Sequence, residues 1–371
     1  MTPPKQSSLQ PSQLSTDQEA ELLRTRDISW ANKVGTPSWK LARGMAKLGR
    51  LSLNPSDSHA IGIEIGRHSM LVLLIDFTGF ICGRWHYTYE FAQPHIVLEH
   101  IATTLKLIAT HLPEKHSNGL QGIGIAMPLN MDGWQQLLGR HNSDAHQYWV
   151  DINLADEIQQ QTGLPVQVIK DTSAACIAEL VLGHGQEHGD FFYLFFDTFI
   201  GGGLVINQHL HLGLHGNAGA FGSFPVKMSN AEKPIQLLDI ASLHQLEQRY
   251  IDAQLDPQAA HDQRSMQMPF LSHTQAWINE AAPAIAQALL HATWLLDLGI
   301  GIIDGCCART LQGAVIDVIN QHLQQSNWEG IMPPRLMLGS IGEDACALGS
   351  ALLPLYANYA PERDLFLKSV I

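Results

Sequence analysis

From His59 onward, short apolar runs alternate with turns that carry glycine. "HAIGIEIGRHSMLVLLIDFTGFICGRWHYTYE" holds two apolar runs and one of alternating polarity, separated by "IGRHS" and "DFTGF". Runs of this length bounded by turn residues predict three strands in an antiparallel meander. "PHIVLEHIATTLKLIATHL" has apolar residues at helical spacing, and "GIGIAMP" predicts a buried strand. "INLADEIQQQTG" predicts a helix with Asn153 as N-cap and Gly163 at its end. "PVQVIKD" then predicts a strand, and "TSAACIAELVLGHG" a helix opening straight after Asp171.

"DFFYLFFDTFIGGGLVINQHLHLGLHG" repeats the opening pattern of strand, glycine turn, strand, turn and strand with little identity. Helices are expected in "PIQLLDIASLHQLEQRY", "TQAWINEAAPAIAQALLHATWLLDLG" and "RTLQGAVIDVINQHLQQ". "IGIIDGCC" is a short apolar strand between two of them, and "DACALGSALLPLYANY" a closing helix. Two meander-plus-helix copies predict an α/β chain with duplicated lobes and a central cleft. Each copy offers one glycine turn to that cleft, where backbone N–H groups can approach phosphate oxygens. The expected lobes are 59–180 and 181–371, the final helix packing back on the first lobe. Residues 1–58 form a tail whose first 20 residues, rich in Ser, Gln and Pro, have a disordered composition. Within it "SWKLARGMAKLG" reads as a short basic helix and "LSLNPSD" as a strand edge and turn.

At 371 residues and 45% hydrophobic, the chain can bury a large two-lobed core. Its five cysteines (Cys82, Cys176, Cys306, Cys307 and Cys346) form no C-x-x-C pair, and the vicinal two read as small core residues. That usage fits a reducing cytoplasm, and the polar N-terminus lacks the apolar region of a signal peptide. "AIAQALLHATWLLDLGIGII" is interrupted by His291 and Asp297, which favours a buried helix over a membrane span. The net charge of −13 does not suit broad adhesion to nucleic acid. The tail nevertheless carries +3, leaving −16 on the remainder, and five bases with no acid lie between Lys33 and Arg50. That basic stretch is either a phosphate-contacting segment or a solvated linker.

Asp171 is the strongest candidate for chemistry. It ends an apolar strand and opens a helix, at the edge of an α/β sheet where ligands bind. A carboxylate there can take a proton from a hydroxyl, although position alone equally describes a helix N-cap. Gly201, Gly202 and Gly203 are either a phosphate turn or a tight hairpin. In "EIGRHS", Glu64 can hold a magnesium-bound water and Gly66 can admit a phosphate, or the segment is a plain hairpin with a solvated Glu. "HLHLGLH" sets His209 and His211 on one strand face with His215 beyond, but without the Cys or carboxylate that would complete a tetrahedral metal site. "HGQEH" at 184–188 reads as an exposed loop.

Taken in order over about residues 60–357, these segments resemble the ROK family of repressors and sugar kinases, whose fold is two-lobed, actin-like and hexokinase-like (ribonuclease H-like). "IGIEIGRHS" stands where the kinases have a D-I-G-G-T-like turn, and "GIGIAMP" where they have G-x-G-x-P-G. "PVQVIKDTSAACIAELVLGHG" matches P-V-x-V-x-N-D-A-N-A-A-A-x-A-E. "DTFIGGGLVINQHLHLGLHGNAGAFGS" matches the second phosphate turn and the sugar-binding turn, and "IGIIDGCC" the I-V-x-G-G nucleotide segment. The resemblance implies that Asp171 is the general base toward a sugar hydroxyl, as phosphoryl arrives from Mg·ATP. It places Glu64, Gly66, Thr198, Gly201–Gly203 and Gly305 at the nucleotide, and Lys170, Asn217, Gly219, Ala220 and Ser223 at the sugar.

The departures share a direction. Lys170 replaces an Asn, Glu64 an Asp, and Arg67-His68 a Gly and a Thr. Asp197 and Phe199 replace glycines around the surviving Thr198, and Cys306 replaces a Gly. Ala220 and Ser223 stand where the sugar-holding Glu and His belong, and residues 227–240 hold none of the family's zinc cysteines, so no zinc is expected. Phe199 keeps the turn's backbone from a phosphate, and Asp197 repels one unless a metal intervenes. "GNAGAFGSFPV", "VGTPS", "LSLNP" and "ALGSALLPLYANY" are similar to the kinase-degenerate ROK regulators, in which a winged helix-turn-helix precedes the body. The tail is accordingly expected to be a remnant of such a domain, too short for three helices and a wing, which argues against autonomous DNA binding.

The leading expectation is therefore a cytoplasmic, homodimeric, sugar- or phosphosugar-sensing regulator with little or no kinase activity. Its alternative is an ATP- and Mg2+-dependent kinase of a hexose or N-acetylhexosamine, and a ligand-free relic is the third reading.

Overall fold

The computed structural model describes residues 58–112, 119–129, 131, 149, 152–227 and 233–359. The tail, with its expected basic helix and domain remnant, lies outside the described residues, as does the strand edge at 51–57. The chain divides into two units, Met1–Val181 with Cys346–Ile371, and Leu182–Ala345.

The first unit opens with β1 (His59–Ile65), β2 (Ser69–Asp76) and β3 (Ile81–Thr88), paired antiparallel as the alternating runs predict. After α1 (Pro94–His111), β4 (Leu120–Met127) pairs parallel to β1. Then come α2 (Leu154–Thr162), β5 (Val166–Lys170) parallel to β4, and α3 (Asp171–Leu182). The sheet order is β3-β2-β1-β4-β5. Asn153 caps α2 through its side chain, and Gly163 ends it at φ 69°, as the sequence predicts.

In the second unit β6 (Phe191–Phe196), β7 (Gly201–Ile206) and β8 (His209–Leu210) form another antiparallel meander. A ribbon of β9 (Pro225–Val226) and β10 (Ile235–Gln236) follows, then α4 (Leu238–Ala241), α5 (Leu243–Asp252) and α6 (Leu271–Leu296). β11 (Ile300–Gly305) runs parallel to β6, α7 (Arg309–Gln324) follows, and β12 (Arg335–Leu338) runs parallel to β11. The order β12-β11-β6-β7-β8 is that of the first sheet read in reverse, so the two units share one topology. The last helix, α8 (Ala345–Tyr359), returns to the first unit.

Three expectations change. The helix expected over 234–250 is two helices, because Ser242 takes an extended conformation between them and begins α5. The histidine-rich segment is a strand over His209–Leu210 alone, so His211 lies beyond its face. "HGQEH" opens with one 3-10 turn at His184–Gln186, with Gly185 buried. None of the helices among the described residues is long and apolar enough to cross a membrane.

Packing in the first unit follows the two-residue period of its strands. Ile61, Ile63 and Ile65 of β1 and Ile123 and Ile125 of β4 pack with Val97 and Ile101 of α1 and Leu154 and Ile158 of α2. Each such buried aliphatic side chain contributes about 1.5–3 kcal/mol. The opposite face is stripped of side chains where α8 crosses it. A Cβ on Gly62 would lie 1.9 Å from the Ala347 carbonyl oxygen, and one on Gly124 1.8 Å from that of Ser350. Gly349 of α8 likewise lies against the Ala174 carbonyl of α3, where a Cβ would come within 1.7 Å. In the second unit β6 is buried along its whole length. Phe192, Leu194 and Phe196 pack with Trp277 and Ile285 of α6 and Leu311 and Val315 of α7.

These contacts separate two kinds of glycine. Gly124→Ala must displace α8 and should cost about 1–3 kcal/mol or more. Gly313→Ala, on α7 with nothing within 4 Å of the new methyl, should stabilise by about 0.5–1 kcal/mol. Urea midpoints of the two variants check this, and equal midpoints would refute the packing argument.

Candidate functional site

Glu64, Lys170, Asp171, Thr198 and Gly305 fall at the carboxyl ends of β1, β5, β6 and β11, where an open α/β sheet leaves backbone and helix termini exposed to a ligand. In the first unit these ends belong to β1, β4 and β5. Glu64 lies beside Ala126, and Met127 beside Lys170, which leads directly into Asp171. Asp171 is itself the first residue of α3, and its Oδ1 accepts a hydrogen bond from the Thr172 N–H at 2.6 Å. The carboxylate thus engages one of the helix's otherwise unpartnered N–H groups. Beside it, burial draws the Lys170 ammonium below the usual lysine range, partly offset by the Asp171 charge.

Gly66 is explained locally. Its N–H donates to the Ser69 carbonyl at 2.9 Å, and a Cβ there would meet that oxygen at 3.1 Å. The Tyr89 hydroxyl lies 2.7 Å from the carbonyl oxygens of both Gly66 and Ser69, tying β3's end to the hairpin. Burial, and then the nearby Glu64 charge, raise the Tyr89 pKa well above the ordinary phenol range. The sequence reading missed Tyr89, since only the fold brings it to this turn.

In the second unit the triplet Gly201–Gly203 lies inside β7, not in the turn before it, with Gly201 opposite Phe195 and Gly203 opposite Tyr193. The turn itself is Asp197–Ile200. The missing side chains serve a close crossing by the segment 217–223. A Cβ on Gly219, which has φ 73°, would come within 2.6 Å of the Gly203 backbone, and one on Gly222 within 2.2 Å of the Ile200 carbonyl. Asn217 accepts from the Ala220 N–H at 3.2 Å through its carbonyl, and Ser223 is exposed just beyond. The structure therefore brings Gly219 against Gly202 and Gly203, with Asn217, Ala220 and Ser223 on the same short segment.

The carbonyls of Asp197 and Thr198 accept from the Leu243 and His244 N–H groups, which open α5, and the Ser242 hydroxyl accepts from the Ile200 N–H. The first turn of α5 is thus satisfied by the 197–200 turn. Phe199 lies edge-on to the His244 ring. One helical turn on, Glu247 is 2.7 Å from His261 Nε2 and 3.5 Å from His244 Nδ1. Burial pulls Glu247 up, but its hydrogen bond to His261 and the His244 ring 3.5 Å away prevail and hold it at about 2. Asp197 is raised by burial, partly offset by the Thr198 N–H and His261. His261 Nδ1 reaches the Cys306 carbonyl at 3.2 Å.

Gly305 and Cys306 are fixed by backbone and by a buried acid. The Cys306 N–H donates to the Phe196 carbonyl at 2.7 Å, and a Cβ on Gly305 would lie 2.3 Å from that same oxygen. Asp304, wholly buried, accepts from the Gly305 N–H, Arg309, the Gly342 N–H and the Tyr193 hydroxyl at 2.8–3.3 Å. Burial pushes the Cys307 thiol up to about 12. Sequence reasoning passed over Glu247, His261, Asp304 and Arg309. Only the H-x-x-E spacing of His244 and Glu247 on one helix hinted at them. Among the described residues no group of three or more His, Cys, Asp or Glu is arranged to hold a metal ion.

Comparison with known proteins places this geometry. Over 192 residues the chain is 29% identical to the xylose repressor of Bacillus spizizenii, covering 51% of this chain and 49% of that one. It spans about half the length of the curated repressors it matches. A ROK family transcriptional regulator, homologous to the E. coli MLC protein, superposes with a TM-score of 0.64 at 18% identity, over 96% of this chain and 93% of that one. A ROK family glucokinase from Streptomyces griseus, in complex with glucose and AMPPNP, gives 0.60 at 21% identity, over 80% and 99%. The model of the ROK family matches residues 60–356, from the first strand of the first sheet to the helix that returns to it. With its duplicated hexokinase-like sheets, the chain belongs to the ROK family.

Proposed function

We propose that this protein is a sugar-sensing, regulator-like member of the ROK family whose kinase site has lost its phosphoryl-transfer function. The observation that carries the reading is the turn 197–200. Asp197, a carboxylate, stands where the kinase motif has a glycine, and the turn's Ile200 N–H, a donor that a phosphate would need, is taken by the Ser242 hydroxyl. A triphosphate approaching this turn meets negative charge and the Phe199 side chain. Ala220 and Ser223 remove the Glu and His of the kinase sugar turn, while Gly219 and Gly222 preserve the close crossing that shapes it. A sugar or phosphosugar is the ligand class this supports, in keeping with repressor relatives; dimerisation and DNA contact belong to the same proposal.

Asp171 favours the alternative, an ATP- and Mg2+-dependent sugar kinase. It keeps the position of a general base at the end of β5, with Glu64 at the end of β1 as the carboxylate that would hold a magnesium-bound water. Thr198 and Gly305 stand at the second turn and at the end of β11.

Two measurements decide. A hexose, N-acetylhexosamine or hexose phosphate should raise the melting temperature by mass action, whereas Mg·ATP with any of them should yield no sugar phosphate at an ordinary enzymatic rate. Turnover at such a rate, falling about 100-fold or more in Asp171→Asn with sugar binding retained, would establish the kinase instead. Ala220→Glu should tighten hexose binding about 10- to 100-fold, the worth of one charge-assisted hydrogen bond at about 1.5–3 kcal/mol. Unchanged calorimetric affinity would show that the 217–223 turn does not face the sugar.

A further inference from the structure

In the kinase motif that the turn after β6 resembles, glycines stand at the places of Asp197 and Phe199. In this chain the turn carries Asp197, and the ionisable groups around it form a set of their own. His261 ends a 3-10 element, Pro257–His261, packed against α5. Its two ring nitrogens face two acceptors, Glu247 Oε1 at 2.7 Å from Nε2 and the Cys306 carbonyl oxygen at 3.2 Å from Nδ1.

A neutral imidazole has one N–H and one lone pair. A backbone carbonyl cannot donate, so Nδ1 must carry a proton to bond Cys306. Nε2 must then also carry one, unless Glu247 is a neutral acid. Glu247 is taken as the ionised partner, its second oxygen lying 3.5 Å from the His244 ring. Both contacts are satisfied together by an imidazolium between an ionised carboxylate and a carbonyl.

We propose that His261 is a resident cation of the second unit, a doubly protonated imidazolium held between Glu247 and the Cys306 carbonyl, so that α5 and the 197–200 turn it supports are braced by the chain's own charges and weaken as His261 loses its proton. The inference rests on the geometry of this unit and stands whichever reading of the function holds. The groups that act on His261 are Glu247 on α5, Asp197 in the turn and the Cys306 carbonyl after β11; His244 lies on the other side of Glu247, 3.5 Å from its second oxygen. Asp262 follows it in sequence and is paired with Arg264, while Asp304 and Arg309 pair with each other at 2.8 Å. Burial alone would lower the His261 pKa, but Glu247, Asp197 and the Cys306 carbonyl outweigh it and raise the pKa above its usual 6.5.

The sign of the pH dependence follows by linkage. A histidine with a raised folded-state pKa gives stability that is complete below 6.5 and is lost as pH rises through the higher value. Glu247, depressed from 4.5 to about 2, gives stability that is present above 4.5 and is lost as pH falls toward 2. The cluster is therefore strongest between these limits, and alkali loosens the turn by discharging His261.

Nitrogen-15 NMR of histidine side chains in the full chain tests this directly. At about pH 6.5, where an ordinary histidine is half protonated, both His261 ring nitrogens should show protonated shifts, and the ring should titrate above the ordinary histidine range. In Glu247→Gln that midpoint should fall by about one unit or more. The urea midpoint of the wild type should drop between about pH 6.5 and 9, and His261→Gln should flatten that drop. If His261→Gln does not fold, the wild-type spectra and Glu247→Gln decide the matter. A singly protonated His261 at that pH would overturn the proposal. So would Mg·ATP at saturating concentration shifting the His261 signals, because a nucleotide would then complete the turn. Sugar phosphorylation by a sample whose His261 remains doubly protonated and unmoved would sink the regulator reading and leave this assignment intact.

Discussion

A carboxylate removed from water needs a donor for nearly every lone pair, or it will not remain charged. Asp304 meets that demand with four donors drawn from four places: Tyr193 on β6, the Gly305 N–H, Arg309 at the start of α7, and the Gly342 N–H before α8. The second unit's nucleotide-segment edge is built around it. Arg309 also donates to the Gly339 carbonyl, and the Gly339 N–H donates to that of Ile303, so β11 and the loop after β12 are held together on both sides of the acid. Gln312 donates to the carbonyls of Gly305 and Cys307. The Cys306 carbonyl is therefore fixed before His261 reaches it. From there the order of dependence runs through His261 to Glu247, from Glu247 to α5, and from α5's first N–H groups to the carbonyls of Asp197 and Thr198.

This order also separates what a linear reading could reach from what it could not. The strands of both meanders are visible because every second residue, or every residue in β6, is apolar, and burial on a sheet leaves that trace directly. Asn153 and Gly163 are visible for the same reason, since a cap acts within a few residues of itself. Ser242 illustrates the limit. Nothing local forbids helix there, and the break arises because its hydroxyl accepts from Ile200, far away in sequence. Glu247 and His261 are 14 residues apart, and their meeting depends on Cys306, which is further still. The glycine triplet was legible as glycine but not as strand. Its bareness is required by Gly219 and Phe221 crossing β7, a contact between distant segments.

The two units use one topology with different ends. In the first, the edge keeps Glu64 and Asp171 on separate strands, with Lys170 beside Asp171 and Tyr89 securing the hairpin. In the second, an acid and an aromatic side chain occupy the corresponding turn, with His244 of α5 against the aromatic ring. A duplicated scaffold permits this, because the sheet's stability rests on β6, α6 and α7 and not on the residues after each strand. The turn can change its chemistry while the core is untouched.

That freedom has a direction set by electrostatics. Replacing a turn glycine by Asp in a buried setting is tolerable only when a cation is supplied, since burial alone raises the acid's pKa until it is neutral. Phosphate cannot be the counterpart of Asp197, because both are anions. Either a metal ion or a protonated side chain must be, and among the described residues the side chain within reach is His261, already held by Glu247. In the assignment proposed for His261, Asp197 and the imidazolium therefore act as one unit and not two. A chain that carried only the first would strand a buried charge, and one that carried only the second would lack part of what keeps the imidazole protonated.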